Sequence, residues 1–164
     1  DGKKYYDRDG NVVIKNFCDK DWTAIKRLRA IGIPVLFITG DPYNEMILSN
    51  RNLPTIVNRG EGFHRDKINF LPQALEEYNC TADEVVYFGD DLFDYKIMEG
   101  VGYAYCVNDS PRSLQDISVP LHCNGGENAI MYLFEELEDR ELIPTVPAGD
   151  VMDKIYELDL KEKF

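Results

Sequence analysis

Apolar positions in this chain fall into short unbroken runs, separated by stretches in which they recur every three or four residues. Residues 33–38 (Ile-Pro-Val-Leu-Phe-Ile) and 85–88 (Val-Val-Tyr-Phe) carry no charged or amide side chain, and residues 55–57 and 102–107 read the same way. A strand apolar on successive positions is covered on both faces, so these runs predict a mainly parallel sheet between helical layers. Asp21 reads as the N-cap of a helix to about Ala30, with Trp22, Ile25 and Leu28 on one face and Gly32 after its end. Pro42 suits the first turn of a second helix. Ile68, Leu71, Leu75 and Tyr78 mark a third from about Asp66, in which Pro72 predicts a kink. A short helix is expected over 92–99, a last short strand over 120–123, and a helix after Gly125-Gly126 ending near Leu137. Residues 4–17 break the alternation: Tyr5-Tyr6, a turn at Asp9-Gly10 and Val12-Val13-Ile14 predict a β-hairpin.

Composition narrows the partners. The 164 residues, 44% hydrophobic, suffice for one compact domain over 1–142. Residues 143–164, with two prolines and an amphipathic stretch over 151–160, form a tail expected to pack on the domain or on a neighbouring subunit. Eighteen basic against 30 acidic side chains give a net charge of −12, which disfavours nucleic acid and anionic membranes as partners. A small phosphorylated substrate needs only local positive potential. No apolar run reaches the length of a membrane span and no signal-peptide pattern opens the sequence, so a cytoplasmic protein is expected. Cys18, Cys80, Cys106 and Cys123 are scattered without metal-ligand spacing, as are His64 and His122; reduced thiols are expected and zinc is not.

Candidate chemistry lies at strand ends, because open parallel sheets bind ligands outside the carboxyl ends of their strands. The run 85–88 closes in Gly89-Asp90-Asp91-Leu92-Phe93-Asp94, three carboxylates within five residues. Such a cluster suits a hard cation such as Mg²⁺, with Asp90 as ligand and Asp91 and Asp94 as outer-shell groups; a solvated helix start is the plainer alternative. Thr39 closes the run 33–38, and its hydroxyl with the N–H groups of Gly40 and Asp41 could bind phosphate oxygens, or Thr39 could simply cap a helix. Lys67, at a helix start, could reach the same rim or stand exposed.

Taken together, the order Thr39, Lys67, Gly89-Asp90-Asp91-Leu92-Phe93-Asp94 resembles the haloacid dehalogenase-type phosphohydrolases. The hairpin opened by Asp1-Gly2-Lys3-Lys4-Tyr5-Tyr6, the Phe17 to Asp21 element and Gly125-Gly126 resemble its capless subfamily, typified by 3-deoxy-manno-octulosonate 8-phosphate phosphatase and its sialic-acid-type relatives. The resemblance implies a Rossmann-like three-layer fold with a hairpin flap in place of a cap domain. It implies Mg²⁺-dependent hydrolysis of a sugar or sugar-acid phosphate through an aspartyl-phosphate, with Thr39 and Lys67 on the transferring phosphoryl oxygens. It also implies a homotetramer in which a neighbour closes the active site. The nucleophile motif of the family, Asp-x-Asp-Gly, stands at no strand end here and is expected ahead of Asp1. A catalytically inactive module serving assembly or regulation is the alternative; a receiver domain is excluded because its acid pair would precede Thr and Lys. Three departures bear on the substrate: Asp41 after Thr-Gly, no arginine after Gly125-Gly126, and a long loop over 59–65 bearing Arg59, His64 and Arg65. They argue against 3-deoxy-manno-octulosonate 8-phosphate itself.

Overall fold

Alternating strands and helices generate the architecture in the order that the apolar runs predict. The structure, a computed structural model, describes residues 3–60 and 62–163. Asp1 and Gly2 of the expected hairpin opening, Glu61 of the long loop and Phe164 lie outside the described residues. The hairpin forms from β1 (Lys4–Tyr6) and β2 (Val12–Lys15), antiparallel with a register irregularity between Tyr5 and Tyr6. The Asp7 carboxylate closes its turn by accepting from the Asp9 and Asn11 N–H groups at 2.9 and 2.8 Å.

Five strands follow in two parallel sheets. β3 (Phe37–Thr39) pairs with β4 (Thr55–Val57), and β5 (Val86–Gly89) with β6 (Tyr103–Cys106), which pairs with β7 (Val119–Pro120). Among the described residues, β3 and β5 each keep one edge without a ladder partner. All three residues of β3 and three of the four in β5 are only half-buried, less than an internal strand would be. The ladder of β3 spans three residues rather than the six of its apolar run, and the last ladder starts one residue before the expected 120–123.

The other faces are covered. α1 (Asp19–Ala30) and α6 (Ala129–Asp139) pack on one side, where Ala24, Leu28, Leu133, Phe134 and Leu137 meet Val86, Phe88 and Tyr105. The alternate positions Tyr87 and Cys106 face the opposite layer, with Met98 of α4 (Tyr95–Glu99) and Leu114 of α5 (Arg112–Gln115). α2 (Pro42–Asn50) joins α1 through Leu48, Trp22 and Ile25. This two-sided burial of a parallel sheet is the expected α/β arrangement.

Four local expectations change. Residues 67–70 form a tight 3₁₀ turn before α3 (Leu71–Tyr78), and Pro72 opens that helix instead of kinking it, because a proline in the first turn gives up no helical hydrogen bond. Residues 92–94 are likewise a 3₁₀ turn ahead of α4. α1 starts at Asp19 with Cys18 as its N-cap, so Asp21 lies inside the helix. Its carboxylate reaches across instead to accept from the Ile130 and Met131 N–H groups at 2.9 and 3.2 Å, capping α6. Burial lifts the Asp21 pKa above the usual carboxylate range, against the lowering effect of those two N–H donors.

The tail packs on its own domain. α7 (Ala148–Asp159) buries Val151, Ile155 and Leu158, an i, i+4, i+7 stripe, and lies against α1. Lys26 of α1 pairs with Asp159 and Glu162, while Arg51 pairs with Glu162 at 2.9 Å and stacks over Trp22 at 4.1 Å. No helix among the described residues is long and apolar enough to cross a membrane.

Candidate active site

Asp94 is the centre of the acid loop. It is 1% exposed, and both its oxygens are occupied. Oδ1 accepts from Lys67 Nζ at 2.5 Å and from the Tyr87 hydroxyl at 2.7 Å; Oδ2 accepts from the Asp90 and Asp91 N–H groups, each at 3.1 Å. A buried carboxylate so supplied with donors is compensated for its lost hydration and holds the loop to the strand that precedes it. Gly89 is required for this approach: a Cβ there would stand 2.6 Å from the Asp94 Cβ. Asp91 caps the turn after it, accepting from the Leu92 N–H at 2.7 Å. Tyr87, not singled out from the sequence, loses its acidity through burial first and the Asp94 charge second.

Asp90 differs from its two neighbours. Its residue keeps solvent access and its carboxylate accepts no hydrogen bond among the described residues. Shielding of the carboxyl by the surrounding protein, then the Asp94 charge, raise its pKa above the usual range, while Lys67 works the other way. An accessible oxygen donor with excess negative potential around it is what a hard cation needs. Among the described residues no three His, Cys, Asp or Glu side chains form a metal cage, so Asp90 can supply only part of one.

The Thr39 corner is assembled from distant segments. Thr39 Oγ1 accepts from the Asp41 N–H at 3.1 Å and from Asn44 Nδ2 at 2.9 Å. Asp41 caps α2 through the Tyr43 N–H at 3.0 Å and pairs through Oδ2 with Lys15 at 2.5 Å and Lys4 at 2.8 Å. Partial burial raises its pKa, but Lys15, Lys4 and the Tyr43 N–H outweigh that and bring it down to about 2. Asp41 thus spends its N–H on Thr39 and its carboxylate on the hairpin, which leaves neither group for the phosphate contact expected of it.

His64 joins the two halves. Its ring lies against Gly40, where a Cβ would meet Nε2 at 2.8 Å, and edge-on to Phe93 with centroids 5.0 Å apart. Two contacts hold the segment carrying it: Arg59 forms an antiparallel bridge with His64, and the buried Asn58 holds the Arg65 carbonyl through Nδ2 at 2.7 Å. Arg65 turns onto Phe70, 5.0 Å from the ring, and Arg59 is exposed. Of the sequence candidates, the structure ties Lys67, Asp90, Asp91 and Asp94 into one cluster, groups Thr39, Gly40 and Asp41 in another, and joins the two by the His64–Phe93 contact. Asn44, Lys15, Lys4, Tyr87 and His64 complete the site; the first four carry no sequence signal of their own.

The model of the haloacid dehalogenase-like hydrolase family matches residues 63–131, which contain Lys67 and the whole acid loop. The 3-deoxy-D-manno-octulosonate 8-phosphate phosphatase of Yersinia pestis is 30% identical over 132 residues, 79% of this chain and 68% of that protein. The enzyme of that name from Haemophilus influenzae is 29% identical over 149 residues, 85% of this chain and 74% of its own length. The chain belongs to the haloacid dehalogenase-like hydrolases. Its fold matches a Moraxella catarrhalis phosphatase of the same name, solved in complex with magnesium, phosphate and KDO: the TM-score is 0.71 at 21% identity, covering 84% of this chain and 78% of that one. Within the family it is a phosphomonoester hydrolase of the capless kind, similar to these 3-deoxy-D-manno-octulosonate 8-phosphate phosphatases.

Proposed function

We propose that this protein hydrolyses a small sugar or sugar-acid phosphate with Mg²⁺, through an aspartyl-phosphate. The observation that carries the reading is the division of labour among the three acids. Asp94 is buried and saturated, Asp91 caps a turn, and Asp90 alone presents an unengaged carboxylate. Asp90 would hold the cation, with the rest of its coordination from substrate, water and the nucleophile. When bound, Mg²⁺ would neutralise the repulsion between an attacking carboxylate and the phosphoryl oxygens.

This chain's own residues supply the remaining functions. Lys67, held by Asp94 at 2.5 Å, would present its ammonium to the phosphoryl group with its position set by a buried anchor. Thr39 would donate its hydroxyl proton to a phosphoryl oxygen. The nucleophile and general acid would come from an Asp-x-Asp-Gly strand ahead of Asp1, and the unpaired edges of β3 and β5 are edges with which such a strand could pair. The relatives' names support a sugar-acid phosphate as substrate class. The hairpin exposes Tyr5, Tyr6, Val13 and Ile14, an apolar surface that supports the homotetramer implied by the resemblance.

The test is phosphate release by the full-length protein from a panel of sugar and sugar-acid phosphates, with Mg²⁺ and with chelator. Turnover of at least one substrate that is abolished by chelator is expected. No turnover of any, or turnover indifferent to chelator, would reject the reading.

A further inference from the structure

The hydrogen bonds around Thr39 form a chain whose direction is determined at every step. Lys15 Nζ can only donate, so the Asn44 oxygen that it contacts must be Oδ1. That orients the amide nitrogen of Asn44 toward Thr39 Oγ1, 2.9 Å away, and an amide NH₂ can only donate. The Asp41 N–H, 3.1 Å from the same oxygen, can also only donate. A hydroxyl has one proton and two acceptor positions, so both acceptor positions are filled. Its proton has no acceptor among the described residues. It is a donor directed away from Asp41 and Asn44 and open to an acceptor that enters the site.

The start of this chain is outside the site helix. Lys15 belongs to β2 and also grips Asp41 at 2.5 Å, where Lys4 of β1 joins it at 2.8 Å. Both arms of the hairpin are therefore tied to the start of α2. Without Lys15, the Asn44 amide could present either end to Thr39, and a hydroxyl facing Oδ1 would spend its proton there.

We infer that Asn44 and Lys15 are positioning residues that set the polarity of the Thr39 hydroxyl, offering its proton to the phosphoryl group while the hairpin is docked. The inference rests on the phosphatase reading and adds two residues, on different elements, to the same site. It also gives the hairpin a role within a single chain: the docked flap determines which way the binding hydroxyl points.

Asn44→Asp is the discriminating variant. It keeps the shape of the side chain and strengthens the pairing with Lys15, but presents an acceptor to Thr39 and captures its proton. In the full-length protein, steady-state kinetics on the best phosphomonoester, calorimetric binding of inorganic phosphate and thermal melting are measured together. Asn44→Asp should raise KM and the phosphate Kd roughly tenfold or more, the loss of a charged hydrogen bond, and by more than Asn44→Ala. Its Tm should stay within about 3 °C of wild type or rise. Lys15→Met should raise KM, and Lys15→Arg, which preserves a donor-only partner, should restore it. Wild-type phosphate binding in Asn44→Asp, or equal losses in Asn44→Asp and Asn44→Ala, would overturn the inference and leave the phosphatase reading intact. A wild-type protein that neither hydrolyses phosphomonoesters nor binds phosphate would overturn both.

Discussion

The acid loop and the Thr39 corner meet across His64 and Phe93, yet they are built in opposite ways. The acid loop is wired locally: Asp94 holds the N–H groups of Asp90 and Asp91 and the hydroxyl of Tyr87, all within seven residues, and only Lys67 comes from farther away. The Thr39 corner depends on Lys4, Lys15 and His64, from segments that are far apart in sequence. One half has a buried, saturated anchor; the other has a partly accessible one, shared with a two-stranded hairpin that is marginal by itself. A site of this kind has one wall held by its own loop and one wall held by the flap.

The strongest test of that contrast removes each anchor. Asp94→Ala strips the acceptor from Lys67, Tyr87 and two backbone N–H groups in the interior and should cost about 3–5 kcal/mol of stability, as breaking buried ion pairs does. Asp41→Ala, at a capping position with partly accessible lysines, should cost about 1 kcal/mol. Urea denaturation of both variants gives the comparison; similar costs would remove it.

Next in size, Asp90→Asn should lower kcat by on the order of 100-fold or more while leaving the melting temperature nearly unchanged, because Asp90 is the acid with no structural bond through its carboxylate. Phosphate release at saturating Mg²⁺, beside a melting curve, separates the two effects. A stable, fully active Asp90→Asn protein would place the cation elsewhere.

The glycines give a smaller contrast. A Cβ at Gly89 meets the Asp94 Cβ at 2.6 Å and Cγ at 2.7 Å, part of a side chain that cannot move, so Gly89→Ala should destabilise by about 1–3 kcal/mol. A Cβ at Gly40 meets the ring of His64, an exposed side chain that can turn aside, and Gly40→Ala should cost less than about 1 kcal/mol. Equal shifts in a thermal melt would mean that His64 is held as firmly as Asp94.

Acidification should separate the walls in order. Asp90 has a raised pKa, so it takes up a proton first as pH falls, and Mg²⁺ affinity should decline before structure is lost. Asp41 has a depressed pKa, about 2, so its contribution is complete above the ordinary carboxylate value near 3.9 and is lost as pH falls from there through about 2. Titration of Mg²⁺ binding beside hydrogen exchange of the hairpin amides should show cation loss at the higher pH. The reverse order would refute the assignment of Asp90 as the open acid.

Much of the wall held by its own loop is legible in the residue pattern. An apolar run, a glycine and three acids within five residues specify a strand end, a tight turn and a charge cluster, because strand burial, turn geometry and capping act over a few residues. The roles within the cluster are less legible: Asp90, Asp91 and Asp94 are chemically alike, and only burial separates the anchor from the open acid. Asp21 shows the limit plainly. Its position before an amphipathic stretch suggests a local cap, whereas the packing of α1 against α6 directs its carboxylate to a helix start 109 residues away.

The α/β alternation, the hairpin and the family can be read from the residues alone, since each follows from periodicity, turn residues and the spacing of a few chemical groups. That Lys4 and Lys15 hold Asp41, that Asn44 donates to Thr39, and that His64 fills the space over Gly40 follows from the packed fold. Those contacts depend on which surfaces the packed layers bring within 3 Å. A lysine or an asparagine on an exposed segment looks the same in sequence whether it faces water or a carboxylate.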